Sequence, residues 1–180
     1  MSKISKSISI ILLSLVFVTA TAQDWVSESD EFTTVVLKAQ SEFFPEGGSS
    51  LGLVEFDDSI MDLGPDLFAR TIAVDQALVK QTDEWLRISE DPKVIQDLNI
   101  LHQALEDGIH SATLTHQYML PYYNLSQTMF YAYRALLDPR ADASRYPAAL
   151  TRLAKYTGKA EGFTPITELA KQRTVERFAE

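Results

Sequence analysis

Along the chain after Gln23, apolar residues recur at steps of three and four, the period of a helix with one buried face. No stretch alternates as a half-buried strand does, so the pattern predicts an all-α fold of about six helices. A first helix runs from about Asp24, an acid suited to the N-cap or first turn, through Phe32, Val35, Val36, Ala39 and Phe43; Pro45 and Gly47-Gly48 stop it. From Pro45 to Gly64 the expectation is a long connection that lays Leu51, Leu53, Val54, Phe56, Ile60 and Leu63 over the helices. A second helix opens at Gly64-Pro65, with proline at the first helical position where its missing N–H costs nothing, and ends over Ser89 to Asp91. Asp91-Pro92 repeats that start signal and opens the longest helix, where Val94, Leu98, Leu101, Leu105, Ile109 and Ala112 share a face until the chain nears Pro121. Asn124 and Gln127 form a capping-box-like pair ahead of a helix with Met129, Phe130, Tyr133, Leu136 and Leu137, closed by Asp138-Pro139. A fifth helix follows Ser144 or Tyr146, carries Leu150 and Leu153, and stops at Gly158. A sixth starts at Thr164-Pro165, shows Ile166, Leu169 and Ala170, and continues to Phe178 with no stop signal after it.

The first 22 residues break this pattern. Lys3 and Lys6 precede an apolar run from Ile8 to Val18, interrupted only by Ser9 and Ser14, and Ala20-Thr21-Ala22 follows. A positive start, an apolar run short for a membrane span and a small-x-small site are the parts of a secretory signal peptide, predicted here over residues 1–22 with cleavage after Ala22. The mature region is then residues 23–180, a helical domain exported across the inner membrane and expected in the periplasm. Of 16 Lys and Arg the leader takes two, which leaves 14 against 25 Asp and Glu, a net charge of −11. Such a surface repels phosphate backbones and anionic lipid, so neither nucleic acid nor, after cleavage, membrane is an expected partner. The absence of cysteine excludes disulfides, thiolate metal sites and cysteine nucleophiles.

Few residues carry the spacing of a known chemistry. His102, Glu106 and His110 stand at i, i+4 and i+8 on one helix face, which would suggest a metal site. Eight helical residues separate the two imidazoles by about 12 Å, far beyond what one ion with bonds of about 2 Å bridges. Gln103 follows His102, so the His-Glu-x-x-His motif is absent, and a solvated face is expected. Glu55, Asp57, Asp58 and Asp62 lack the spacing of a calcium loop and read as a solvated acidic segment. With no nucleophile elbow, phosphate-cradling loop or dinucleotide fingerprint, no catalytic residue and no metal ligand is assigned. All seven tyrosines lie at or after position 118. Tyr118, Tyr122, Tyr123 and Tyr131 are the candidate binding surface, either an interhelical seam or a groove for a peptide, since each ring joins apolar area to a polar handle.

Three stretches taken together carry a resemblance. They are Leu120-Pro121-Tyr122-Tyr123-Asn124 with Arg134-Ala135-Leu136-Leu137-Asp138, then Tyr146-Pro147-Ala148-Ala149-Leu150-Thr151-Arg152-Leu153 to Tyr156, then Gly162-Phe163-Thr164-Pro165-Ile166-Thr167-Glu168-Leu169-Ala170. In this order they resemble the N-terminal region of a large bacterial family known as domain of unknown function 885. The resemblance implies a mostly helical protein several hundred residues long, grouped with zinc metallopeptidase-like proteins for a downstream His-Glu motif with a further His. There the motif would supply metal ligands and a Glu that activates water. No position of this chain matches it, so no catalytic or metal residue carries over, and zinc is expected only in a complete family member. The implied role for residues 23–180 is a non-catalytic N-terminal part that walls a substrate cleft, with a peptide substrate or the C-terminal region as partner. Its corollary is that the face with Phe163, Ile166 and Leu169 lacks cover and promotes association. The alternative is a stand-alone periplasmic helical module that binds a peptide or protein through the tyrosine corner.

Overall fold

The computed structural model describes residues 24–179; the leader assigned to residues 1–22, its cleavage site and Glu180 lie outside them. Seven helices follow in order: α1 at residues 24–41, α2 at Pro45–Ser50, α3 at Leu67–Ile88, α4 at Pro92–Tyr118, α5 at Leu125–Leu136, α6 at Tyr146–Tyr156 and α7 at Ile166–Ala179. Two 3₁₀ turns, Val54–Phe56 and Ala143–Arg145, complete the order, and no strand occurs among the described residues. The fold is all-α, as the periodicity predicts, with one short helix more than expected. No described helix is long and apolar enough to cross a membrane.

Local chemistry sets most of the helix ends. Asp91 accepts from the Lys93 amide at 2.8 Å with Pro92 next in line, and α4 starts there. Asn124 accepts from the Gln127 amide at 3.2 Å while its own amide donates to Gln127 Oε1 at 3.0 Å, so the two side chains cap α5 as a pair. After α6, Gly158 turns left-handed at φ 69°, and a Cβ there would stand 2.6 Å from Pro165. The start of α3 differs from the sequence reading. Pro65 lies outside the helix, and Asp66, left-handed at φ 54°, leads into Leu67. Arg70 fixes that turn, bonding Asp62 at 2.5 Å and the Pro65 carbonyl at 3.0 Å.

The segment from Pro45 departs furthest from expectation. Its first six residues are the helix α2, although Gly47-Gly48 reads as a stop. Proline opens it, and Gly48 is needed for close approach: a Cβ on it would meet Ser41 Oγ at 2.2 Å, so α1 and α2 touch backbone to side chain. Beyond α2, Phe56 and Leu63 are buried and Ile60 packs against the core, as expected. Leu51 and Val54 instead face outward, 67% and 59% exposed.

Two apolar clusters hold the helices. Val36 of α1, Leu78 of α3 and Leu105 of α4 form one, with Trp85 and Leu101 at its edge. Met61, Leu63, Tyr156, Ile166 and Ala170 form the other, with Tyr123, Met129, Tyr133 and Leu169 packed on it. The second corrects the corollary drawn for a missing cover at two of its three residues: Ile166 is 1% exposed and Leu169 packs on the core, whereas Phe163 is 40% exposed. Phe163 stands beside Lys155, whose ammonium is 5.5 Å from the ring centre.

Candidate functional site

The acidic segment after α2 is a hub of ion pairs in which Glu55 and Asp58 stay exposed, as expected, while Asp57 is buried. Glu55 pairs with Lys38 of α1 at 2.8 Å, Asp57 with Arg145, Asp58 with Lys155 of α6 at 3.5 Å, and Asp62 with Arg70 of α3. Each acid therefore ties the segment to a different part of the chain. Asp57 is 5% exposed and accepts from Ser49 Oγ at 2.7 Å and from Arg145 Nε and Nη2, also at 2.7 Å. Burial pushes its carboxyl up, but the hydrogen bonds from Arg145 and Ser49 outweigh that and hold it below the ordinary value. At Asp62 the Arg70 guanidinium lowers the carboxyl against a smaller effect of burial.

Two further buried polar groups complete the hub. Arg152, fully buried, donates to the Ser59 carbonyl at 2.9 Å and the Phe56 carbonyl at 2.8 Å. Glu46 of α2 accepts from the Met61 amide at 2.8 Å and from the Tyr156 hydroxyl at 2.5 Å. Burial, and then the Glu46 charge, push the Tyr156 phenol far above its ordinary value. Arginine on the inner face of α6 is what the sequence reading missed: Ala149, Arg152 and Tyr156 point inward, and Leu150 and Leu153 outward.

The four tyrosines of the candidate surface do not share one environment. Tyr118 at the end of α4, Tyr122 in the connection and Tyr131 on α5 are 74%, 84% and 52% exposed. Tyr123 instead packs on the second core cluster, and burial raises its phenol. Among the described residues no ring contact joins two of the four; Tyr131 meets Phe130 edge-on at 5.4 Å. An apolar flank is exposed as well, with Phe130 outward on α5, Leu137 just after its end, and Leu150 and Leu153 outward on α6.

The helix face with histidines is partly engaged. His102 Nε2 lies 3.2 Å from Asp83 of α3, and Nδ1 lies 3.7 Å from Glu106; His110 is exposed. Among the described residues no three His, Asp or Glu side chains gather where one metal ion could be held. His116 stacks on Phe68 with ring centres 3.9 Å apart, and its carbonyl accepts from Arg177 at 2.5 Å. A half-open cleft of about 370 Å³ lies apart from these surfaces, between α1, α2 and α3. No family model, no curated protein and no solved structure matches the chain.

Proposed function

We propose that this helical region is a non-catalytic part of an exported protein and docks against further protein through the apolar flank of α5 and α6. The observation that carries the reading is that flank. Phe130 on α5 and Leu137 at its C-cap are 61% and 51% exposed, and Leu150 and Leu153 on α6 are 73% and 44% exposed. Large aliphatic and aromatic side chains grouped on adjoining helices mark a surface that another protein covers. Together with the resemblance, the flank supports the remainder of a metallopeptidase-like chain of the domain of unknown function 885 family as the covering partner. Zinc and hydrolysis would then belong to that remainder. The outward Tyr118, Tyr122 and Tyr131 favour a second reading, a stand-alone periplasmic module that holds a peptide or protein on these rings.

Reading the gene and transcript past codon 180 tests the first proposal. A continuing frame that encodes His-Glu followed closely by His supports it, and its absence overturns it in favour of the module. The flank has its own test. Sedimentation of the purified protein is expected to report association that weakens with Leu150→Lys and Phe130→Lys together. A strictly monomeric protein at all concentrations, with no change in the double variant, removes the flank as a docking face.

A further inference from the structure

A second surface with the makings of a ligand site lies away from the flank. The cleft between α1, α2 and α3 has apolar walls in Leu37, Phe43, Phe44, Leu51 and Val74, and Gly47 also lines it. A Cβ built on Gly47 meets nothing within 4 Å, so a side chain there would extend into open space beside the cleft. Its volume, about 370 Å³, suits a small organic molecule.

The polar side chains of the cleft are the hydroxyls of Ser41 and Thr71, the Gln40 carboxamide and the Asp75 carboxylate. Ser41 Oγ donates to the Leu37 carbonyl at 2.6 Å, and Thr71 Oγ1 to the carbonyls of Leu67 and Phe68, so both hydroxyl protons are committed to their own helices. Gln40 Nε2 donates to Asp75 Oδ1 at 3.2 Å. That leaves the second oxygen of Asp75 and the Gln40 carbonyl as acceptors at the rim, with one N–H of Gln40 beside them. Asp75 is the only charged residue among those lining the cleft. The nearby Arg70, 5.6 Å from the Phe43 ring centre, has its charge taken up by Asp62.

We infer that this cleft binds a small amphiphilic cation, its apolar alkyl or aryl body against Phe43, Phe44 and Val74 and its ammonium on Asp75. The Asp75 carboxylate, the one charge among the residues lining the cleft, accepts an ammonium with a charge-assisted hydrogen bond and would face a ligand carboxylate with a like charge. The inference is independent of the α5 and α6 flank, which lies on other helices.

Titration calorimetry of the purified protein with 2-phenylethylamine, 3-phenylpropionate and 2-phenylethanol tests it, since the three probes share a body and differ in the head. The amine is expected to bind best and the carboxylate worst. Asp75→Asn is expected to lower amine affinity about tenfold and to erase its advantage over the alcohol. Gly47→Leu is expected to abolish binding of all three with the helical circular-dichroism signal and melting curve retained, because the new side chain enters open space. Amine binding no tighter than that of the carboxylate, or binding that survives Gly47→Leu in a folded variant, overturns the inference. So does the absence of any amine binding at millimolar concentration.

Discussion

Arg145 and Asp57 stand 88 residues apart in sequence, yet both oxygens of the carboxylate take hydrogen bonds from the one guanidinium, at 2.7 Å each. Arg145 Nη2 also reaches the Ser49 carbonyl at 2.7 Å, and Ser49 Oγ donates to Asp57 at 2.7 Å. The C-terminal part of α2, the turn that follows it and the turn that opens α6 thus meet at one nearly dry point. The side chains of Arg145 and Asp57 are only 16% and 8% exposed, so water screens the pair little.

Breaking this pair from one side leaves a buried charge without its partner. Arg145→Leu is expected to cost about 3–5 kcal/mol, the penalty of an uncompensated buried carboxylate, as read from urea unfolding. The double variant Arg145→Leu with Asp57→Asn is expected to lose less than the two single losses combined. Strict additivity in that cycle would mean that the two residues act separately and that the hub is not held by their contact.

Acid is expected to loosen the hub. The carboxyls of Asp57 and Asp62 are both held below their unfolded values by arginine. Their contribution is therefore whole above the unfolded carboxyl value of about 4 and drains away as pH falls through the lower folded values. Urea midpoints measured from pH 7 downward should stay level to about pH 4 and then fall. Asp57→Asn should begin lower at neutral pH and fall less steeply in acid; an identical slope in the variant would remove Asp57 from the account.

Helix ends were legible because their chemistry is local: Asp91-Pro92, Asn124 with Gln127, and Gly158 lie within a turn of what they cap. The hub was not, because its partners are distant. Asp57 and Arg145, Arg152 and the carbonyls of Phe56 and Ser59, and Glu46 and Tyr156 are separated by 88 to 110 residues, and a charged side chain read alone counts as solvated. On α6 the carbonyls of the acidic segment need donors, so Arg152 takes the inner face that periodicity would give to Leu150 and Leu153. The candidate surface was half legible for a related reason. Tyr122 and Tyr123 lie between α4 and α5, outside any helix, where period does not say which of two adjacent rings turns inward.

Gly47 and Gly48 are adjacent, yet they predict opposite outcomes. A methyl at Gly47 meets nothing within 4 Å, so Gly47→Ala is expected to stabilise the protein by up to about 1 kcal/mol through helix propensity alone. At Gly48 it would stand 2.2 Å from Ser41 Oγ and 2.8 Å from Ser41 Cβ. Ser41 is itself buried and bonded to the Leu37 carbonyl, so it has little room to yield. Gly48→Ala should therefore cost about 1–3 kcal/mol in thermal or urea unfolding. Equal effects at the two positions would contradict the close packing of α1 on α2.

The alkaline limb is a separate test of the buried core. Burial raises the phenols of Tyr123, Tyr133 and Tyr156, and at Tyr156 the Glu46 charge adds to it. A group whose folded value is raised contributes fully below its unfolded value, about 10 for tyrosine, and loses that contribution as pH climbs past it. Each such phenol that the unfolded chain would ionise removes about 1.4 kcal/mol per pH unit above that point. Phenolate absorbance followed upward from pH 9 should therefore stop short of the seven tyrosines while the helical signal persists, and the missing part should appear together with unfolding. Tyr156→Phe should take away part of that late absorbance. It should also lower stability at neutral pH by about 1–3 kcal/mol, because Glu46 then loses the hydroxyl that it accepts from at 2.5 Å. If all seven tyrosines ionised before any loss of helix, Tyr156 would be open to water, and the contact that joins α2 to α6 through Glu46 would not exist.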